Sequence, residues 1–339
     1  MTEAQLSPVS KPRPTRQEEG RWRGRSTMRA ARFIAPRRAE IIEIPLPHPN
    51  PSQVRVRVQG CGLCGSNLPV WQGRPPADYP LEPGAPGHEG WGWVDEVGAD
   101  VNQFTPGDRV AFLSYRAFAE FDLASADHLL RLPQAQEIFP GEPLACAVNV
   151  LARAGIRGGE TVAVIGVGFL GALLVQLAIQ GGANVIAVSR RESALAMARR
   201  FGAIASFAPG EPVIRRVMAA TGGDGCDCVI EAVGEQAPLD LAAELVRIRG
   251  RLVIAGYHQE SRLVNMQLWN WRGLDVINAH ERDPLRSMEG MRLALSQVAD
   301  NQLELTGLIT HDFPLEEISA AFVALEERPP GFMKAWIRP

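Results

Sequence analysis

Residues 161–171 read TVAVIGVGFLG, and an apolar run of helical length, FLGALLVQLAIQ, continues to 180. Thr161 to Ile165 suit a strand, and glycines then recur at 166, 168 and 171. A GxGxxG that closes a strand and opens a helix is the fingerprint of a dinucleotide-binding βαβ unit. Gly166 allows the tight turn, Gly168 lets a pyrophosphate approach the backbone, and Gly171 lets the helix pack closely on the strand, with phosphate at the helix N-terminus. Phe169 and Leu170 complete the expected contact set. The next strand, VIAV, ends in Ser189-Arg190-Arg191, where a carboxylate for a ribose 2′-hydroxyl would normally stand. A small hydroxyl followed by two guanidiniums suits a 2′-phosphate instead, because Arg forms bidentate charge-assisted bonds to phosphate. NADP(H) is therefore expected over NAD(H), the alternative being that the arginines only begin a solvated helix.

Outward from this turn the same alternation continues. Apolar strands (TVAVIG, NVIAVS, DCVIEAV, RLVIAGY, LDVIN) alternate with helical stretches such as PLDLAAELVRIRG (238–250), which means βαβ units and a parallel sheet over 143–277. Before it, 28–142 holds short β-rich runs broken by Pro and Gly, including AEIIEIPL, QVRVRVQG and GWGWVDEVG, the pattern of a small antiparallel barrel-like domain. After it, 278–339 carries two expected helices, near 285–299 and 315–326, and a strand-like KAWIRP that could return to the first domain. Residues 1–27 hold six Arg/Lys against three Glu and read as a disordered tail.

Composition excludes several classes. The 339 residues are 46% hydrophobic and 22% charged, with a net charge of −3 and a pI near 6.1, so no basic field suits nucleic acid or an anionic membrane. No apolar run approaches the ~18 residues of a membrane span, and no signal peptide is visible. Five cysteines, an odd number, fit a reducing compartment, so a cytoplasmic location is expected.

Residues 60–67 read GCGLCGSN, and GHEGWGWV follows from 87; Glu142 and Cys146 stand in GEPLACAVNV. Catalytic zinc takes three protein ligands from Cys, His and carboxylate and keeps one position open. Cys64, His88, Glu89 and Glu142 supply that inventory, although each alone could be packing, a turn histidine or a helix-start carboxylate.

Taken together, GCGLCGS, PGHEGWGWVDEVG, PGDRV, EPLACAV, VAVIGVGFLG and LITHDFPLEEISAAF resemble the zinc-dependent medium-chain dehydrogenase/reductase superfamily, the alcohol and polyol dehydrogenases, from Met28 to Pro339. The resemblance implies an α/β protein with a GroES-like β-rich catalytic domain and a Rossmann doubly wound parallel sheet. It implies one Zn2+ per chain on Cys64 and His88, with Glu142 as third protein ligand, Glu89 as an alternate ligand or close neighbour, and Cys61 structural. Ser66 would pass the substrate proton onward. The backbone at Tyr257, Leu274 and Val276 would hold the nicotinamide, and Lys334 would approach the pyrophosphate. A homodimer or homotetramer follows from the same resemblance, with GLDVIN as the edge strand.

Three departures stand out. Asn67 replaces the family's aspartate, and a neutral amide can still accept the imidazole N–H but raises its basicity less. Pro69 occupies a position where some members end a proton relay in histidine. Residues 107–121 lack the cysteine cluster of a structural zinc site. The expected activity is hydride transfer between NADP(H) and a secondary alcohol, polyol or sugar or its carbonyl. YHQ at 257–259 and NAHERD at 278–283 hint at a polar mouth, and Trp71, Trp91, Trp93, Trp269 and Trp271 are available to line it. Alternatives are a zinc-free quinone or enone reductase and a non-catalytic NADPH-binding protein.

Overall fold

Alternating apolar residues place one face of each early strand in a common core. The computed structural model describes residues 24–74, 78–134 and 136–339. The first two of these stretches hold β1 (Thr27–Ala35), β2 (Arg38–Pro45), β3 (Gln53–Gly62), the short helix α1 (Leu68–Gln72), β4 (Glu89–Val97), β5 (Arg109–Phe112), β6 (Phe121–Ser125) and β7 (Leu129–Arg131). β3 pairs antiparallel with both β4 and β6, β4 with β5, and β5 with β7. Val54, Val56 and Phe112 are fully buried on the inner side. Most of the expected tail lies outside the described residues, but Ser26 and Thr27 belong to the folded part: Ser26 O accepts from Leu46 N at 2.8 Å, and Thr27 pairs with Pro45.

The second unit begins with α2 (Gly141–Ala154) and continues through β8 (Thr161–Ile165), α3 (Phe169–Gln180), β9 (Asn184–Val188), α4 (Glu192–Arg200), β10 (Ala205–Phe207), α5 (Glu211–Ala220), β11 (Cys226–Glu231), α6 (Gln236–Leu245), β12 (Val246–Ile254), α7 (Met266–Arg272) and β13 (Asp275–Asn278). The sheet is parallel throughout, in the order β10-β9-β8-β11-β12-β13. In register, Ala163 of β8 lies between Ile186 and Val229. Helices cover both faces, so these strands read as continuous apolar runs. The order reverses beside β8, which is where α/β sheets of this kind open a crevice at the carboxyl ends of their strands.

One expectation changes here. The run VRIRG, read above as the end of a helix, is the start of β12: α6 stops at Leu245, and Val246 already pairs with Cys226. A register shift between Cys226 and Cys228 and a left-handed Arg249 (φ 56°) mark a bulge that absorbs the irregular start. The alternation of Val246 and Ile248 was the available signal.

The remaining chain forms α8 (Pro284–Ala299), β14 (His311–Pro314), α9 (Ile318–Glu327) and β15 (Ala335–Arg338). β15 pairs antiparallel with β3, setting Trp336 opposite Gly62 and Ile337 opposite Cys61, and β14 lies parallel beside it. Phe322 of α9 fills the first core, 5.0 Å centroid to centroid from Phe33. Trp91 shares a second core with Leu144, Ala145 and Met333, which joins the two units. No helix among the described residues is long and apolar enough to cross a membrane.

Candidate active site

The register of β3 and β4 builds the site. Gly62, last in β3, lies opposite Glu89, first in β4, so the turn that follows β3 and the residue that precedes β4 must meet. That turn is a single 3-10 turn, Gly65–Asn67, whose Asn67 N–H bonds Cys64 O at 3.0 Å. Ligand atoms of Cys64, His88 and Glu89 consequently all fall within 4.8 Å of one another. Ser66 is half-buried in the same turn.

Asn67 does not take the imidazole proton, contrary to expectation. Its Oδ1 accepts from Cys64 N at 3.0 Å, and its Nδ2 donates to Pro86 O at 3.1 Å. Pro86 O also lies 2.9 Å from His88 Nδ1 and is the natural acceptor of that N–H, which leaves Nε2 as the nitrogen a metal would take by displacing its proton. Asn67 thus fixes the turn and shares the carbonyl that orients the histidine.

Glu142 stands in the first turn of α2, and Cys146, one turn on, donates its S–H to Glu142 Oε1 at 3.2 Å. Burial, with Glu142 next, pushes the Cys146 thiol well above its ordinary value. Around His88 several charges compete. Burial alone depresses the imidazole, but the Cys64 sulfur, then Glu142 and Glu89, override it and hold it at about 10. Its ring lies nearly parallel to that of Tyr115, 6.2 Å away.

A buried lysine also stands among these groups. Lys334 is 5% exposed, and its Nζ lies 2.6 Å from Glu89 Oε1, 3.1 Å from Leu63 O and 4.7 Å from the centre of the Phe169 ring. It bridges the cluster and Phe169, the first residue of α3, and so stands at the helix N-terminus where the pyrophosphate is expected. Glu89 is therefore neutralised, whereas among the described residues Glu142 hydrogen-bonds only the Cys146 thiol. The donor chemistry of sulfur, imidazole nitrogen and carboxylate oxygen suits a divalent ion of zinc type better than Mg2+ or Ca2+.

The glycine-rich turn suits a dinucleotide. Gly166 sits at φ 94°, and a Cβ on Gly171 would lie 1.9 Å from Gly166 O, so the helix reaches the turn only without a side chain there. A Cβ on Gly168 would meet nothing within 4 Å. As N-cap of α3, Gly168 provides no side-chain acceptor, which leaves first-turn N–H groups aimed at open space. Phe169 is buried and Leu170 half-buried against that helix.

Beyond β9, Ser189 is buried, Arg190 is exposed, and Arg191 turns inward so that its guanidinium donates to Phe332 O and to Val167 O. Tyr257 follows the carboxyl end of β12 and is 48% exposed, its ring 5.8 Å from that of His280. His280 in turn feels the charge of Glu142, so Tyr115, Tyr257 and His280 rim the cluster. Leu274 and Val276 are not brought to this rim. Leu274 precedes β13 and Val276 lies early in it, whereas the carboxyl end that meets Tyr257's strand is Asn278–Ala279, with Ala279 N on Ile254 O. His258 also turns away, to Glu231 Oε2 at 2.9 Å. The tryptophans serve elsewhere: Trp71 and Trp91 are core, Trp93 lies under Arg109, and Trp271 is 85% exposed.

Two family models match the chain: residues 50–134 match the alcohol dehydrogenase GroES-like domain, and residues 170–296 match the zinc-binding dehydrogenase. Over 302 residues the chain is 29% identical to a sorbitol dehydrogenase of Gallus gallus, covering 77% of this chain and 82% of the relative. It is 24% identical over 341 residues to a 2-dehydro-3-deoxy-L-galactonate 5-dehydrogenase of Pseudoalteromonas atlantica, covering 91% and 98%. Among solved structures, a chain from Sinorhizobium meliloti 1021, provisionally classed as a zinc-binding dehydrogenase and bound to NADP, superposes with a TM-score of 0.80 at 26% identity, covering 93% of this chain and all of that one.

Proposed function

Because the chain belongs to the zinc-dependent medium-chain dehydrogenase/reductase superfamily, a group of oxidoreductases, we propose that it transfers hydride between NADP(H) and a secondary alcohol, polyol or sugar or the matching carbonyl, using one zinc ion per chain. One observation carries the reading: Cys64, His88 and Glu89 converge within 4.8 Å, and Lys334 links that cluster to Phe169 at the head of the glycine-rich helix. The two halves of a hydride-transfer site therefore abut.

Zinc bound there would supply Lewis-acid polarisation of the substrate oxygen, and the nicotinamide would supply the hydride acceptor or donor. Cys64 and His88 hold the metal, His88 through the nitrogen that Pro86 O leaves free. Glu142 is the third ligand, since Lys334 already occupies Glu89. Ser66 would relay the proton released from the substrate hydroxyl, its Oγ accepting that proton as its own hydroxyl proton passes onward to solvent. Tyr115, Tyr257 and His280 offer ring faces and hydrogen-bonding groups to a hydroxylated substrate, and the sorbitol dehydrogenase relative supports that class. Ser189, Arg190 and the NADP-bound relative support the phosphorylated cofactor. Five free cysteines support a cytoplasmic location. Exposed Leu263, Met266, Trp271 and Val276 around the edge strand β13 support a homo-oligomer, because an open apolar edge invites pairing.

The test combines metal analysis of purified protein with a screen of alcohols, polyols and sugars against both cofactors, followed at the nicotinamide absorbance. Wild type should carry one zinc per chain and turn over members of these classes; Cys64→Ala should lose metal and turnover while keeping NADPH binding. Normal activity in Cys64→Ala, or no zinc after zinc-supplemented growth, would overturn the reading.

A further inference from the structure

Three guanidiniums gather beside the glycine-rich turn without a carboxylate among the described residues to answer them. Arg190 is exposed and forms no ion pair among the described residues. Arg191 bonds only uncharged groups: Phe332 O, Val167 O at 3.5 Å and Met333 Sδ at 3.9 Å. Arg328, the residue after α9, reaches only Leu325 O through Nε at 3.4 Å, which leaves its two terminal nitrogens unused. Helix α4 provides a contrast nearby, for Arg199 meets Glu192 at 2.5 Å and Arg200 meets Glu304 at 3.2 Å. Mutual proximity registers electrostatically. Burial lowers Arg191, and Arg328 and Arg190 lower it further; burial and then Arg190 lower Arg328.

Arg328 also occupies a backbone conformation that argues for its side chain. Its φ is 49°, in the left-handed region where glycine usually ends a helix at no steric cost. An arginine that only capped α9 would gain from the helix dipole, but that role does not call for two further cations at the same place. An unneutralised cluster of like charge is costly in a partly dry site, and a dianion removes that cost.

We propose that Arg328, carried by the segment that returns to the first domain, is the third arm of a phosphate clamp with Arg190 and Arg191. The occupant is the 2′-phosphate of the dinucleotide, so the ligand's identity rests on the NADP(H) reading above. Arg190 and Arg191 follow β9 of the parallel sheet, whereas Arg328 ends a helix packed in the first core. A phosphate held by all three straps the two domains together, and NADP(H) would favour domain closure in a way that NAD(H) cannot.

The experiment is calorimetric titration of 2′,5′-ADP and 5′-AMP into the full chain, as wild type, Arg328→Gly and Arg190→Ala. Glycine suits the left-handed position, so Arg328→Gly should keep the wild-type thermal midpoint. It should bind 2′,5′-ADP about tenfold more weakly, the low end for one charge-assisted hydrogen bond, with 5′-AMP unchanged. Arg328→Gly with wild-type affinity for 2′,5′-ADP, while Arg190→Ala loses affinity, would overturn the third arm and leave the cofactor reading standing. Wild type that binds both nucleotides equally would overturn the cofactor reading and the clamp with it.

Discussion

Lys334→Met tests the pair that joins the two halves of the site. Lys334 and Glu89 are 5% and 0% exposed, with Nζ 2.5 Å from Oε2, so solvent screening is minimal. Burial opposes the lysine charge, and Glu89, followed by Cys64, more than restores it. The carboxylate cannot swing out to water, for it packs so tightly on β3 that a Cβ on Gly62 would lie 1.9 Å from Oε2. Removing one partner of a buried pair costs about 3–5 kcal/mol, because the other is left charged in a dry place. At about 2–4 °C per kcal/mol, the thermal midpoint should fall by on the order of 10 °C. The assay is thermal unfolding of metal-stripped protein followed by circular dichroism, with Glu89→Gln and the double variant alongside. The double variant should recover at least about 2 kcal/mol, since neither side is then an orphaned ion. Added zinc should restore part of the loss in Lys334→Met by taking over the missing positive charge. A loss below about 1 kcal/mol in Lys334→Met, or a double variant no more stable than the single, would refute the argument that this pair holds the site together.

Gly171→Ala should be disproportionately harmful for one methyl group, weakening both NADPH and NADH binding and lowering the thermal midpoint, because its Cβ meets backbone at Gly166 O; dye-displacement and melting curves check both effects. Glu160, buried in part and then lowered by hydrogen bonds from Arg251 and Arg157, contributes stability that is complete above its ordinary value of 4.5 and is lost as pH falls through the lower folded value. Glu160→Gln should therefore be less stable than wild type at neutral pH but converge with it in acid, as read from melting curves at both pH values. Trp271→Glu, at an 85% exposed position beside β13, should shift the mass seen by light scattering from oligomer to monomer; a wild type already monomeric would remove the basis for that expectation.

The parts of the site that were legible in the sequence are those whose chemistry is written locally. Gly166, Gly168 and Gly171 state their own backbone requirements, and Cys64 and His88 lie next to the two strand ends that β3–β4 pairing brings together. What escaped depends on separation or on register. Lys334 and Glu89 are 245 residues apart, and no spacing rule connects them; the same holds for Arg328 and Arg190. Where Leu274 and Val276 fall along β13 was not legible, because a short apolar strand carries no internal mark of which residue reaches its carboxyl end. Asn67 was legible as a positioning residue, but not its partner, since an amide can serve backbone and imidazole equally well and only the turn's geometry decides. VRIRG reads as a helix by propensity, and the parallel pairing with β11 overrides it.

The interior place of β15 bears on how the protein is made. Strands β14 and β15 extend the first domain's sheet from β3, yet the whole chain from 98 to 334 must be synthesised between β4 and β15. During translation the nucleotide-binding sheet has all six of its strands by residue 278, while the earlier-made barrel still lacks two. Until residue 334 emerges, Glu89 is an uncompensated carboxylate beside Cys64 and His88. A nascent chain therefore passes through a stage in which Cys64, His88 and Glu89 are made but Lys334 is not, and a metal ion captured by them then would stabilise the incomplete barrel while its last strand is still to come.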